Sequence, residues 1–375
     1  MISPARFVDE LRASGVTFFT GVPDSLLKPF SQYVMDQLPP SEHVITANEG
    51  AAIGLALGHH LGTGTTPLVY LQNSGLGNTI NPLLSLADPE VYGTPMVVMI
   101  GWRGQPGVKD EPQHVKQGRV MVAMLDAMEL PHATLPADDG EAANAIREAV
   151  DCANRDSTPY FLLVEKGTFA TESGTAPHDS SADPTREEAL GALVDLIDPT
   201  ALIVSTTGML SRELFELRER TDDTGNRDFL TVGGMGHSSS IALGLARAQP
   251  DREVWCFDGD GALLMHMGVL ATIAEHGPHN YHHAVFNNGV HDSVGGQPTS
   301  IDQVDIPALA LAAGYGSAAT ATDLSDLASL VERMRSSTTP SLVELKVRPG
   351  ARPDLGRPTR TPTESRKRFM AAIDR

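Results

Sequence analysis

Short apolar runs alternate along the chain with longer stretches whose apolar positions recur at helical spacing. Runs at 17–20, 43–46, 66–71, 95–100 and 160–165 are rich in β-branched, aromatic and other apolar residues and are too short for helices. Between them, 49–61 and 141–153 show the periodicity of a helix with one buried face. The alternation returns further on. Strand-like runs fall at 201–205, 253–257, 283–287 and 341–346, and helical patterns at 185–197, 211–219, 238–247, 263–276 and 323–335. Such alternation predicts parallel sheets, because a parallel neighbour needs a crossover and the crossover helix covers the sheet. Residues 171–184 (TESGTAPHDSSADP) are polar, lack a period and are broken by Gly and Pro, which reads as a linker. The expected fold is α/β, with two doubly wound parallel-sheet domains at 1–170 and 185–375. The second domain carries an Arg-rich tail from 351 and a short helix at 363–373.

Composition narrows the function classes. The 375 residues suit two domains, and an apolar fraction of 41% allows each a core. A formal charge of −19 repels phosphodiester backbones and anionic lipid, so no nucleic-acid or membrane partner is expected. The two cysteines, Cys152 and Cys256, suggest neither a disulfide framework nor a zinc site. No apolar signal region follows Met1, and no run is long enough to span a bilayer, so a cytoplasmic location is expected.

The strongest chemical signal is residues 254–262 (VWCFDGDGA), where an apolar strand turns through Gly259, Asp260 and Gly261 into a helix. Glycines let backbone approach a phosphate, and a helix N-terminus offers free amides. Asp260 supplies a hard oxygen for Mg2+. A second strand, 283–287, ends beside Asn288, whose amide oxygen is another hard ligand. Parallel strands bring both ends to one edge, where open α/β sheets bind ligands.

Gly259-Asp260-Gly261 followed by Asn288 resembles the diphosphate–metal motif of thiamine-diphosphate enzymes. The resemblance implies a pyrimidine-binding domain followed by a diphosphate-binding domain, with no middle domain. It also implies thiamine diphosphate and Mg2+ as cofactors, with Asp260, the Asn288 side chain and the carbonyl of Val290 on the metal. Residues 233–238 (GGMGHS) are similar to the family segment in which a bulky apolar residue bends the cofactor. That role falls to Met235, and the carbonyl of Gly233 would accept from the exocyclic amine. Thiamine activation needs a carboxyl that shares a proton with a ring nitrogen, and burial favours a carboxyl's protonated form. Glu49, in residues 43–52 (HVITANEGAA), fits that pattern, with Asn48 as helix N-cap. The family builds each site from two chains, which implies a homodimer or a dimer of dimers.

Further segments resemble the phosphonopyruvate decarboxylase family along almost the whole chain. They are 21–28 (GVPDSLLK), 70–78 (YLQNSGLGN), 100–107 (IGWRGQPG), 110–114 (DEPQH), 211–215 (SRELF) and 291–299 (HDSVGGQPT). The implied reaction is decarboxylation of phosphonopyruvate to phosphonoacetaldehyde and CO2 through a cofactor ylide and enamine, within phosphonate (antibiotic) biosynthesis. Arg103, Lys109, His114, Lys116 and Arg119 fall in one Gly/Pro-rich stretch read as a loop, and such cations suit a phosphonate. Asp24, Ser25, Gln72, Asn73, His291 and Ser293 are expected on strand-end loops facing cofactor and substrate. His291 is the expected proton shuttle, because an unperturbed imidazole titrates near neutrality. His59 and His60 read as structural. Sulfopyruvate decarboxylation, carboligation and a non-catalytic cofactor-binding regulator are the alternatives.

Overall fold

The computed structural model describes residues 1–171, 183–221 and 224–373. Most of the stretch read as a linker lies outside the described residues. The chain divides into two compact units, Met1–Ala176 and Pro177–Arg375.

In the first unit six parallel strands form one sheet: β1 (Phe19–Gly21), β2 (His43–Ile45), β3 (Leu68–Gln72), β4 (Met96–Gly101), β5 (His132–Thr134) and β6 (Pro159–Val164). Their order is β2-β1-β3-β4-β6-β5. The interior strands β4 and β6 are buried at every position, which is why they read as continuous apolar runs. The strand order reverses between β1 and β3, so a crevice is expected beyond their carboxyl ends. Gly21 is needed there, because a Cβ would overlap the Tyr70 carbonyl.

The second unit repeats the architecture. Strands β7 (Leu202–Ser205), β8 (Asp228–Leu230), β9 (Val254–Gly259) and β10 (Tyr281–Asn287) are followed by a small antiparallel pair, β11 (Val290–His291) and β12 (Gln297–Pro298). Strands β13 (Ser317–Ala321) and β14 (Ser341–Lys346) complete a parallel sheet of order β13-β14-β10-β9-β7-β8, which switches between β7 and β9. Helix Pro362–Ile373 packs Phe369 on Phe229 at 5.7 Å between ring centroids.

Two expectations are corrected. The helix expected over 263–276 is two helices, Asp260–Met265 and Val269–His276, because His266 leaves helical geometry at φ −134, ψ 41. The presumed loop from Arg103 to Arg119 turns helical at Pro112–Ala127. Pro112 suits the first turn, where its missing N–H has no partner to lose. His114, Lys116 and Arg119 therefore project from a helix. Among the described residues no helix is long and apolar enough to cross a membrane.

Candidate active site

In the first unit Glu49 opens helix Glu49–Thr63, capped by the Asn48 side chain, which accepts from the Ala51 N–H at 2.9 Å. Its residue is only 5% exposed. The Asn78 amide donates to Glu49 Oε2 at 2.7 Å. Gly75 lies so close to the carboxyl that a Cβ would overlap it. Burial, one hydrogen bond and backbone contact thus fix this carboxyl in a single place.

Beyond β3 and β4 three of the expected groups, Ser25, Asn73 and Arg103, lie together and are largely satisfied by protein partners. Asn73 exchanges hydrogen bonds with the Arg103 main chain, donating to its carbonyl at 2.8 Å and accepting its N–H at 3.1 Å. This joins two strand-end loops and gives Asn73 a structural task that its expected cofactor role did not include. The Arg103 guanidinium donates to Asp110 through Nε at 2.8 Å and Nη2 at 2.5 Å, and to Ser25 Oγ at 2.7 Å. Burial pushes the Asp110 carboxyl up, but Arg103 and the N–H groups of Glu111 and Gly104 outweigh it and hold it below the usual carboxylate range. The expected cationic cluster is corrected accordingly. Arg103 is already neutralised, Lys109, Lys116 and Arg119 are exposed, and the buried His114 has its pKa lowered by burial and by Arg103. Gln72 donates to Ser74 Oγ at 2.5 Å.

Asp24 differs from these groups. It is fully buried; Oδ2 accepts the Leu26 N–H at 3.1 Å, and Oδ1 has no protein partner. Burial lifts its pKa to about 6 against the pull of Arg103. It can hold a proton in mildly acidic solution.

In the second unit β9 delivers Asp260, 3% exposed, to the start of helix Asp260–Met265. Thr299 Oγ1 donates to Asp260 Oδ2 at 2.6 Å, and N–H groups of Asp260, Gly261 and Asn288 also reach the carboxylate. Burial outweighs these donors and raises its pKa to about 6. The Gly259 N–H donates to Asp258 Oδ1 at 3.0 Å, so Gly259 contributes close approach more than a free amide.

The paired asparagines at the end of β10, Asn287 its last residue and Asn288 the next, separate into two tasks. Asn287 is a turn residue: its amide donates to Glu344 at 2.7 Å and its oxygen accepts the Gly289 N–H at 3.1 Å. Asn288 donates to Asp292 Oδ2 at 2.7 Å, and its oxygen accepts the Val290 N–H at 3.1 Å. An amide oxygen has two lone pairs, so one remains for a cation.

A Cβ on Gly261 would lie 3.0 Å from the His291 ring and 3.2 Å from the Met235 methyl. The structure thus groups Met235, Gly261 and His291 beside Asp260. Gly233 is half-buried, and Ser293 is exposed. His291 does not keep an ordinary imidazole pKa: burial lowers it to about 4. It is neutral at neutral pH and offers an uncharged ring to its surroundings. The donor set fits Mg2+. A buried carboxylate destabilised by burial and a fixed amide oxygen are hard ligands that a divalent cation would stabilise. Asn78, Thr299 and Asp292 stand in the quoted motif segments, but sequence alone assigns them no role, and Asp110 reads there only as diluting the positive charge of its loop.

The chain was compared with known proteins. Residues 5–130 match the thiamine pyrophosphate enzyme N-terminal TPP binding domain, and 207–345 match the C-terminal TPP binding domain of the same enzymes. Both units thus carry the signature of a thiamine-diphosphate enzyme. A phosphonopyruvate decarboxylase of Streptomyces viridochromogenes is 39% identical over 100% of this chain and 95% of its own. One of Streptomyces hygroscopicus is 38% identical over 98% and 93%. A sulfopyruvate decarboxylase of Methanosarcina acetivorans is 25% identical over 98% and 97%. This chain belongs to the phosphonopyruvate decarboxylase family of thiamine-diphosphate enzymes.

Proposed function

We propose that this chain decarboxylates phosphonopyruvate to phosphonoacetaldehyde and CO2, using thiamine diphosphate and Mg2+. Identity of 39% along the whole chain to a phosphonopyruvate decarboxylase, against 25% to a sulfopyruvate decarboxylase, carries the choice of head group. Bound thiamine diphosphate would supply the electron sink that lets the carboxylate carbon leave as CO2.

The protein's part is binding, proton handling and exclusion of water. Glu49, fixed by Asn78 and Gly75, would share a proton with the pyrimidine nitrogen. Asp260, the Asn288 oxygen and the Val290 carbonyl would hold Mg2+ on the diphosphate, with Gly259 and Gly261 giving close approach. The Gly233 carbonyl would accept from the exocyclic amine, and Met235 would support the bent cofactor. Asp24 Oδ1, unpartnered and with a pKa near 6, would carry the proton that completes the product. His291, neutral, would be a hydrogen-bonding wall. Arg103 would present its remaining N–H groups to the phosphonate, with Ser25, Gln72, Asn73, Lys109, His114 and Ser293 around the substrate. We read 1–170 as the pyrimidine-binding domain and 185–375 as the diphosphate-binding domain. A homodimer, or a dimer of dimers, would join one chain's pyrimidine half to its partner's diphosphate half.

One observation favours sulfopyruvate as a second reading. The Arg103 guanidinium is already balanced by Asp110, which suits a singly charged head group better than a doubly charged one. Purified protein should release CO2 and aldehyde from phosphonopyruvate only with both thiamine diphosphate and Mg2+, and a chelator should stop it. Cofactor binding without CO2 release from any 2-oxo acid would overturn the decarboxylase reading.

A further inference from the structure

A buried ion cluster in the second unit ends on a candidate metal ligand. Arg186, at the start of helix Arg186–Leu196, is 6% exposed, and Glu213 is 2% exposed. Arg186 grips both Glu213 oxygens, through Nε at 2.8 Å and Nη2 at 3.0 Å. Its third nitrogen, Nη1, donates to Asp292 Oδ2 at 2.8 Å. The Gly350 N–H donates to both Asp292 oxygens, at 3.0 and 3.1 Å, and Arg186 Nη2 reaches the Gly350 carbonyl at 3.3 Å. The same Asp292 Oδ2 accepts the Asn288 amide at 2.7 Å.

The bidentate Arg186–Glu213 pair would be complete without Asp292. Asp292 adds a second carboxylate to one guanidinium, and it reaches Asn288. A carboxylate accepts and cannot donate, so only the nitrogen end of the Asn288 amide can face it. Rotating that amide by half a turn would set its oxygen against Asp292. The cluster therefore acts with the Val290 N–H, which donates to the other end of the amide at 3.1 Å, to fix which end of Asn288 is oxygen, and Arg186 and Gly350 do so from positions distant in sequence. Its excess negative charge also polarises the amide so that the oxygen becomes a better donor to a cation.

We propose that Asp292, clamped by Arg186 and the Gly350 N–H, is a positioning residue that sets the Asn288 oxygen as a metal ligand. This rests on Asn288 as a ligand of Mg2+. Loss of an outer residue of this kind typically costs about 10–100-fold in metal affinity or activity.

The test is Mn2+ binding to the full-length protein in the presence of thiamine diphosphate, read by electron paramagnetic resonance of free Mn2+, with thermal unfolding alongside. Asp292→Ala should weaken Mn2+ by about 10–100-fold, and turnover should recover at saturating Mn2+. Glu213→Gln disturbs the same cluster without touching Asn288 and should change Mn2+ affinity by no more than about 3-fold, well below that range. Unchanged Mn2+ affinity in Asp292→Ala would overturn the proposal. So would a loss in Glu213→Gln equal to that in Asp292→Ala, because the cluster would then serve only the fold. Asn288→Ala separates the layers. Retained affinity there would remove Asn288 as a ligand and the proposal with it, whereas loss in Asn288→Ala with none in Asp292→Ala overturns the positioning role alone. If Asp292→Ala does not fold, the isosteric Asp292→Asn takes its place with the same expected direction. Failure of both to fold would assign Asp292 to the fold and overturn the proposal.

Discussion

The two units share a six-stranded parallel sheet with a reversal in strand order, yet they hold their polar groups in opposite ways. In the first, the side chains beyond the strand ends pair among themselves: Glu49 with Asn78, Arg103 with Asp110 and Ser25, Asn73 with the Arg103 main chain. Asp24 alone among these carries a buried oxygen without a partner. In the second, the candidate ligands Asp260 and Asn288 are each backed by a partner, Thr299 behind Asp260 and Asp292 behind Asn288, while Glu344 holds the neighbouring Asn287. On the proposed roles, the first unit would handle protons and the second would hold the cation. The same sheet edge serves both because the edge supplies only position, and the loop residues supply the chemistry.

That contrast can be broken most sharply by exchanging the damage. Glu49→Gln should lower turnover by about 10²–10⁴-fold, the range for a lost acid–base group, while calorimetry finds thiamine diphosphate binding retained. Asp260→Asn should do the reverse, abolishing metal-dependent cofactor binding. Equal loss of binding in both variants would erase the distinction between a proton-holding and a cation-holding half.

A smaller effect concerns the paired cation. Asp110→Ala frees a guanidinium whose side chain is only 19% exposed. Urea unfolding should show a loss of about 2–3 kcal/mol, as for a hydrogen-bonded charge pair broken on one side. No loss would mean that Arg103 is held by Ser25 and the main chain alone, and that its charge is available to substrate.

An effect of similar size is expected in the pH dependence of stability. The Asp24 pKa is raised by burial from its ordinary 3.8 to about 6. Between those values the folded state binds the proton and the unfolded chain does not, so stability falls as pH rises and levels off above the folded pKa. Asp24→Asn should flatten that slope, leaving the variant on the order of 2–3 kcal/mol more stable than the parent at pH 7.5 without cofactor. Denaturation curves from pH 4 to 7.5 would measure it. An unchanged slope would show that Asp24 is not the buried acid described here.

The sequence pattern reveals what local chemistry determines. Strands such as β4 and β6 are legible because burial on both faces demands uninterrupted apolar residues. The peripheral strands β5 (HAT), β8 (DFL) and β13 (SAATA) are short or alanine-rich and leave no such run. Glu49, Asp260 and Asn288 stand in local motifs, so sequence alone singles them out as candidates. Their partners were harder, because Asn78 lies 29 positions from Glu49 and Thr299 lies 39 from Asp260. The lowered pKa of His291 and the neutralised charge of Arg103 come from tertiary burial and pairing, which composition does not encode. A helix begun by Pro112 also hid behind neighbouring glycines and prolines that read as loop.

The most direct test of the account is competition in one vessel. Equal concentrations of phosphonopyruvate and sulfopyruvate would be mixed with protein, thiamine diphosphate and Mg2+, and both aldehydes followed by nuclear magnetic resonance. The account predicts that phosphonoacetaldehyde forms first and that sulfopyruvate is consumed only later, if at all. Preferential formation of sulfoacetaldehyde would contradict the head-group assignment, and the absence of both aldehydes would contradict the decarboxylase itself.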